Sequence, residues 1–190
     1  SLIEDFDSLA VGSNMHDVDG WEGWWGDPNW SAQVTDVVAY SGTNSLEIVG
    51  TRDDLVPNWP VVDSGIYVLT VMQYVPATTT FGEMNFGPLS SYGPSWDEMG
   101  WLGTILTNCD TEKVYVSELD EGTRVEADLL RDQWVELKTV MDFDNNICSF
   151  YYNDVLLGTR ECPSSQGVDI WPDDNVDTVY YDDFRLEAAE

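Results

Sequence analysis

Positive charge is what this chain has least of. Seven Lys and Arg stand against 36 Asp and Glu, a formal net charge of −29 over 190 residues. Phosphate contacts draw on Lys and Arg, and the only lysines are Lys113 and Lys138. DNA, RNA and anionic membranes are therefore excluded as partners. Sulfated and uronic polymers are disfavoured on the same ground unless bound cations intervene, which leaves a neutral or a cationic ligand. Long apolar runs are missing too, since nothing approaches the ~20 residues needed to span a bilayer. A leader pattern is also lacking. Ser1-Leu2-Ile3 runs straight into strand-like sequence, which reads as a trimmed mature protein or a module cut from a longer secreted one. Histidine is down to His16, and Cys109, Cys148 and Cys162 show no C-x-x-C spacing, so zinc is not expected. Three cysteines leave two arrangements open: one disulfide with a free thiol, or three buried thiols. Helical periodicity is the last absence; Val125–Arg131 comes nearest and is short.

What remains is a folding sequence. Hydrophobic residues make up 43% and aromatics 13%, more than a disordered acidic tail carries. The acids are spread rather than blocked, as on a solvated surface in a salty or extracellular setting, where screening acts beyond ~8 Å. Alternating, β-branched runs recur at Ala32–Tyr40, Ser45–Val49, Gly65–Val75, Lys113–Ser117, Gln133–Asp142, Ile147–Tyr152, Val155–Arg160 and Val176–Leu186. Asn153-Asp154 reads as a hairpin turn between two of them. Many antiparallel strands in a chain of this length predict one all-β domain, residues 1–190, built as a two-sheet β-sandwich.

Aromatic residues gather in turns. Trp21-Glu22-Gly23-Trp24-Trp25-Gly26-Asp27-Pro28-Asn29-Trp30 holds four tryptophans among Gly, Pro, Asn and Asp, which breaks any regular element. Ser90–Trp96, with Tyr92 and Trp96, is a second such loop. Indoles bury well but need a partner for the N–H, and nine are many for one small core. Trp25, Trp30, Trp96 and Trp101 are the expected exposed ones, with Tyr92 beside them. An exposed indole flanked by carboxylates and amides suits the C–H face and hydroxyl rim of a sugar, so a neutral polysaccharide is the expected ligand. Trp134 is expected in the core with Val135 and Leu137, while Trp59 and Trp171, each before a proline, are expected to cover an edge.

Four stretches carry a resemblance: Ile3-Glu4-Asp5-Phe6-Asp7, Tyr40 through Ile48, Asp132 through Leu137 ahead of the Tyr151–Asp154 hairpin, and Tyr180 through Leu186. In this order they resemble the concanavalin A-like, laminin-G-like jelly rolls of secreted bacterial proteins and related carbohydrate-binding modules. The resemblance implies a jelly roll with adjacent termini, extracellular or cell-surface placement, and further domains of a longer protein as partners. It also implies a structural calcium between the first strand, the Ser-Gly turn and the last strand. Glu4, Asp5, Asp7 and Asp182 would supply carboxylates, Ser41 and Gly42 carbonyls, and Asn44 an amide oxygen, matching the oxygen shell Ca²⁺ takes. The alternative is that these acids are simply solvated. Trp21 and Trp24 fit the Gly-Trp-x-Gly-Trp pattern of that family, leaving a structural role and ligand contact both open.

Enzymatic alternatives on the same fold find less support. A laminarinase-type Glu-x-Asp-x-x-Glu is approached by Glu126-Ala127-Asp128-Leu129-Leu130-Arg131, which has Arg in place of the second Glu. A lyase needs a Tyr or His base with basic residues to neutralise a uronate, and His16 stands alone. Asp97-Glu98, beside Trp96 and Trp101, is the remaining acidic pair near aromatics. The expectation is a non-catalytic binding module; a glycan-active enzyme and an adhesive surface domain are the alternatives.

Overall fold

The computed structural model describes residues 1–50, 53–173 and 176–189. The strands, numbered in chain order, are β1 (Leu2–Glu4), β2 (Trp21–Gly23), β3 (Gln33–Thr35), β4 (Ser45–Val49), β5 (Leu55–Val62), β6 (Ile66–Tyr74), β7 (Glu83–Ser91) and β8 (Gly100–Trp101). They continue with β9 (Ile105–Asn108), β10 (Lys113–Val116), β11 (Ala127–Asp128), β12 (Trp134–Asp142), β13 (Ile147–Tyr152), β14 (Val155–Arg160), β15 (Ser165–Pro172) and β16 (Thr178–Ala188). They form two eight-stranded sheets. The first runs β14-β13-β12-β6-β16-β4-β3 with β1 also on β16; the second runs β11-β10-β9-β7-β15-β5-β2 with β8 also on β7. The fold is the expected antiparallel two-sheet sandwich. The chain ends are adjacent, Leu2 opposite Leu186 and Glu4 opposite Phe184.

The first sheet obeys the period-two rule that places alternate side chains on opposite faces. On β12, Val135, Leu137, Thr139 and Met141 are buried while Trp134, Glu136, Lys138 and Val140 are not. Trp134 is therefore not a core residue. It shares the outward face with Glu136 and Lys138, and packs on Tyr74 (5.4 Å between ring centroids) and Tyr40 (6.0 Å). Trp59 departs from expectation in the other direction: it sits in the core from β5 rather than covering an edge. Trp21 is core as well, edge-on to Phe6 and Phe184.

Between the sheets, Leu69, Val71, Leu137 and Phe150 face Met84, Phe86, Ile105 and Ile170 in one cluster. A polar thread crosses it. Gln73 on β6 donates to Tyr181 Oη (2.9 Å) and accepts from Thr107 Oγ1 on β9 (3.2 Å), so these buried polar groups are mutually satisfied. Cys148 and Cys162 form a disulfide, and Cys109 is a buried thiol. Burial pushes that thiol up to about 11, far from a reactive thiolate at neutral pH.

The run expected to continue from Ala32 to Tyr40 ends as a strand at Thr35. Thr35 Oγ1 takes the Val37 N–H, and the Tyr40 and Ser41 N–H groups turn to the Asp182 carboxylate instead of a neighbouring strand. Val125–Arg131 forms no helix; Ala127–Asp128 pairs with β10.

Candidate functional site

The outward face of the second sheet holds six aromatic rings in one connected group. Trp24 is its floor at 9% exposure. Against it lie Trp25 (5.3 Å), Tyr92 (5.8 Å), Trp96 (5.8 Å) and Trp101 (6.2 Å, nearly parallel at 18°). Trp25 and Trp96 meet edge to face at 4.9 Å, and Trp101 is edge-on to Trp171 at 6.3 Å. Trp25 and Trp96 are 38% and 66% exposed.

Local sequence explains the placement. After β2 the chain turns through Gly23, where a Cβ would come within 2.0 Å of the Asp27 carbonyl oxygen, so only glycine fits. Trp25 then adopts φ 54, a left-handed conformation uncommon outside glycine. Its N–H is held by Tyr92 Oη at 2.8 Å, a contact between two loops 67 residues apart. Asp27 caps the next turn by accepting from the Asn29 N–H (2.9 Å). The whole loop hangs on Asp54, whose carbonyl accepts the Trp24 N–H and whose N–H donates to the Trp30 carbonyl. Gly87 on β7 leaves the room that Trp101 and Trp171 fill; a Cβ there would lie 2.8 Å from Trp101.

Two clefts open at this group. One of about 340 Å³ is lined by Glu22, Trp25, Gly26, Tyr92, Gly93 and Pro94. Another of about 330 Å³ is lined by Ser90, Trp101, Leu102, Arg160, Glu161 and Pro163. Each sets an indole wall beside a carboxylate. Burial, and then the Glu22 carboxylate beside it, push the Tyr92 phenol up, so it stays protonated and able to donate at any ordinary pH.

Of the expected ligand residues, the fold brings Trp25, Tyr92, Trp96 and Trp101 together. Trp30, 45% exposed, stands apart with no ring contact to the group among the described residues. Trp24 and Trp171 are the members sequence reading did not place here. The parity of Trp171 on β15 was the available signal: Val168 and Ile170 are apolar, so Asp169 and Trp171 face the other way.

The residues expected to hold calcium also converge, at the edge of the first sheet where β16 exchanges β4 for β1 as its neighbour. Asp7 Oδ1 accepts the N–H groups of Thr43 (2.8 Å) and Asn44 (2.9 Å), and Gly42 lies so close to Asp7 that no Cβ would fit. Asp182 accepts from Tyr40 (2.7 Å), Ser41 (3.2 Å) and Asp183 (2.7 Å). Glu4 takes the Phe6 N–H, Asp5 the Asp7 N–H, and the Asn44 amide donates to the Phe6 and Leu9 carbonyls. The groups aimed at Asp7 and Asp182 are backbone N–H donors, joined at Asp7 by the Thr43 hydroxyl. Among the described residues no three His, Cys, Asp or Glu side chains form a metal-holding group. These hydrogen bonds join the N-terminal segment, the Ser41–Asn44 turn and the last strand.

The remaining acidic motifs are otherwise engaged. Glu126 pairs with Arg124 (2.9 Å) and Asp128 with Lys113 (2.6 Å), while Arg131 pairs with Glu112 (3.2 Å) and caps the Pro76, Thr79 and Cys109 carbonyls. His16 Nδ1 accepts the Gly23 N–H, a structural task under the tryptophan loop. Asp97 and Glu98 sit on the short turn that carries Trp96, on the surface.

No family model matches the sequence, and no curated protein matches it. Solved structures do share the fold. A sialidase superposes with a TM-score of 0.64 at 9% identity over 100% of this chain, which spans only 18% of that protein. A cellulose-induced protein, Cip1, gives 0.59 at 14% identity, covering 100% of this chain and 98% of that one. The carbohydrate-binding module CBM66 from Bacillus subtilis gives 0.53 at 11% identity, over 90% and 98%. The likeness to these proteins is one of fold, the two-sheet β-sandwich.

Proposed function

We propose that this domain binds a neutral polysaccharide through the aromatic group on the outward face of its second sheet and has no catalytic role. The observation that carries the reading is the joining of Trp25, Tyr92, Trp96 and Trp101 around open clefts, with Glu22 and Glu161 at their rims. Flat apolar rings beside fixed acceptors are complementary to a sugar, whose C–H face stacks while its hydroxyls donate. The shortage of basic residues argues for an uncharged polymer. A disulfide is typical of oxidising compartments, and no helix among the described residues is long and apolar enough to cross a membrane. Both agree with a secreted or cell-surface domain, and a protein such as the sialidase offers a setting in which a domain of this fold is one part of a longer chain.

Glycoside hydrolysis usually needs two carboxyl groups flanking the bond, ~5–9.5 Å apart; Asp97 and Glu98 are adjacent on the turn that carries Trp96, Glu22 and Glu161 line different clefts, and the reading gives none of them a catalytic role. The test is a panel of insoluble neutral polysaccharides, scored for both depletion of the protein and release of reducing sugar. Binding without product supports the reading. Product formation replaces it with an enzyme, and no binding to any of them leaves an adhesive or structural domain.

A further inference from the structure

Among the described residues, Lys113, Lys138, Arg124, Arg131 and Arg185 each pair with a carboxylate, and Arg160 does not. In a chain with 36 Asp and Glu that is an exception. Arg160 ends β14 and reaches from the first sheet to the face of the second, where its Nη1 donates to the Leu102 carbonyl (2.6 Å). Its backbone is pinned on both sides. Arg160 lies opposite Cys148 of β13, and Cys162 is bonded to that same Cys148. Beyond it, Ser164 and Ser165 donate their hydroxyls to the Ser90 and Leu89 carbonyls of β7. The guanidinium therefore stands at a fixed place in the cleft walled by Trp101, with Glu161 and Ser90 beside it. Its other N–H groups have no acceptor among the described residues. No Lys or Arg lines the cleft at Trp25.

A guanidinium presents parallel N–H groups in a planar fork, which matches two oxygens held side by side. On a neutral sugar such a pair is two hydroxyls on adjacent ring carbons. Glu161 is placed to take the proton of a neighbouring hydroxyl while the Trp101 indole covers the C–H face. A carboxylate would also fit the fork, but Glu161 next to it and the net charge of −29 oppose an acidic polymer. We propose that Arg160 is the specificity-determining residue of the aromatic site, selecting polysaccharides whose interior residues keep hydroxyls on adjacent ring carbons. The inference rests on the sugar-binding reading and narrows it to a class of linkage. A pyranose joined through its first and fourth carbons keeps hydroxyls on the second and third, which are neighbours. Joined through its first and third, it keeps them on the second and fourth, with only the crowded bridging oxygen between. The first kind of chain satisfies the fork along its whole length; the second does not.

The test uses insoluble or immobilised glucan, xylan and galactan, each in both linkages, so that sugar and charge stay constant within a pair. Wild type should be held by the fourth-carbon-linked member of its best pair at least about tenfold more tightly, the scale of a hydrogen bond to a charged group. Arg160→Gln loses the fork and should bind the two members within about twofold of each other. Arg160→Lys keeps the charge without the fork and should lose the selectivity too. Equal or reversed retention of wild type, a preference surviving in either variant, or tighter binding to an acidic polymer than to any neutral one overturns the proposal. Retention by none of these polymers overturns the sugar-binding reading itself, and this inference with it. Because Arg160 also caps Leu102, the melting temperature of each variant is checked, and wild type supplies a second readout should a variant not fold. The Arg160 Nε–H resonance should shift on adding a soluble oligosaccharide of the retained linkage; binding with no shift refutes the assignment.

Discussion

The outward faces of the two sheets both carry aromatic residues, and they are built in different ways. On the first sheet, Trp134 lies directly across from Tyr74, and Tyr74 directly across from Tyr180. The rings come from three regular neighbouring strands and pack edge-on or tilted, as cross-strand pairs do. On the second sheet, Trp24, Trp25, Tyr92 and Trp96 come from loops and short turns, and only Trp101 and Trp171 come from strands. The first arrangement ties a sheet together. The second holds rings where no strand pairing requires them, and leaves Trp96 largely in solvent. Loops set on a rigid scaffold are where binding residues concentrate.

Perturbations should separate the two faces, and the core that joins them sets the scale. Trp21→Ala removes a ring enclosed by Phe6 and Phe184 and should cost ~3–5 kcal/mol, read as a large fall in melting temperature. Opening the Cys148–Cys162 disulfide, which closes a 14-residue separation along the edge of the first sheet, should cost ~3 kcal/mol by the chain-entropy account. A double Cys→Ser variant as stable as wild type under denaturant would count against it. Trp134→Ala should cost less, ~1–2 kcal/mol for a partly exposed ring with two aromatic neighbours, and should leave sugar binding alone.

Calcium at the Asp7–Asp182 edge is a proposal that the same comparison sharpens. A bound metal at a hundredfold excess over its dissociation constant adds ~2.7 kcal/mol, and Asp182→Ala would abolish that gain. Identical melting with calcium and with EDTA is the result expected if the N–H donors alone hold the turn. A higher melting temperature in calcium, lost in Asp182→Ala, would establish the metal.

Legibility in the sequence divides along the same line. All the long strands of the first sheet show in the alternation, because their β-branched and polar residues take turns cleanly, as in Val135–Met141. The strands of the second sheet are mostly hidden, only β10 having been read as a strand. Pro57 and Pro60 interrupt β5, Gly87 and Pro88 break β7, and β15 slips register against β5 between Ser165 and Gly167. Gly87 is there to admit Trp101, so part of what conceals the strand is what makes room for the site. Local rules fail most often at such places. Tyr92 and the exposed tryptophans were legible because Gly, Pro and Asp around them forbid regular structure. Trp134 was misplaced by one position: its parity with Glu136 and Lys138, rather than its nearness to Val135, was the informative signal.

The smallest expected effect on stability belongs to the residue expected to matter most for binding. Trp96→Ala should change stability by no more than ~0.5 kcal/mol, as for an ordinary surface substitution. On the polysaccharide that retains wild type best, its affinity should nonetheless fall about tenfold, the equivalent of ~1.4 kcal/mol of stacking, while Trp134→Ala binds within about twofold of wild type. The opposite pattern, with Trp96→Ala binding normally and Trp134→Ala losing affinity, would place the sugar on the first sheet and contradict the account.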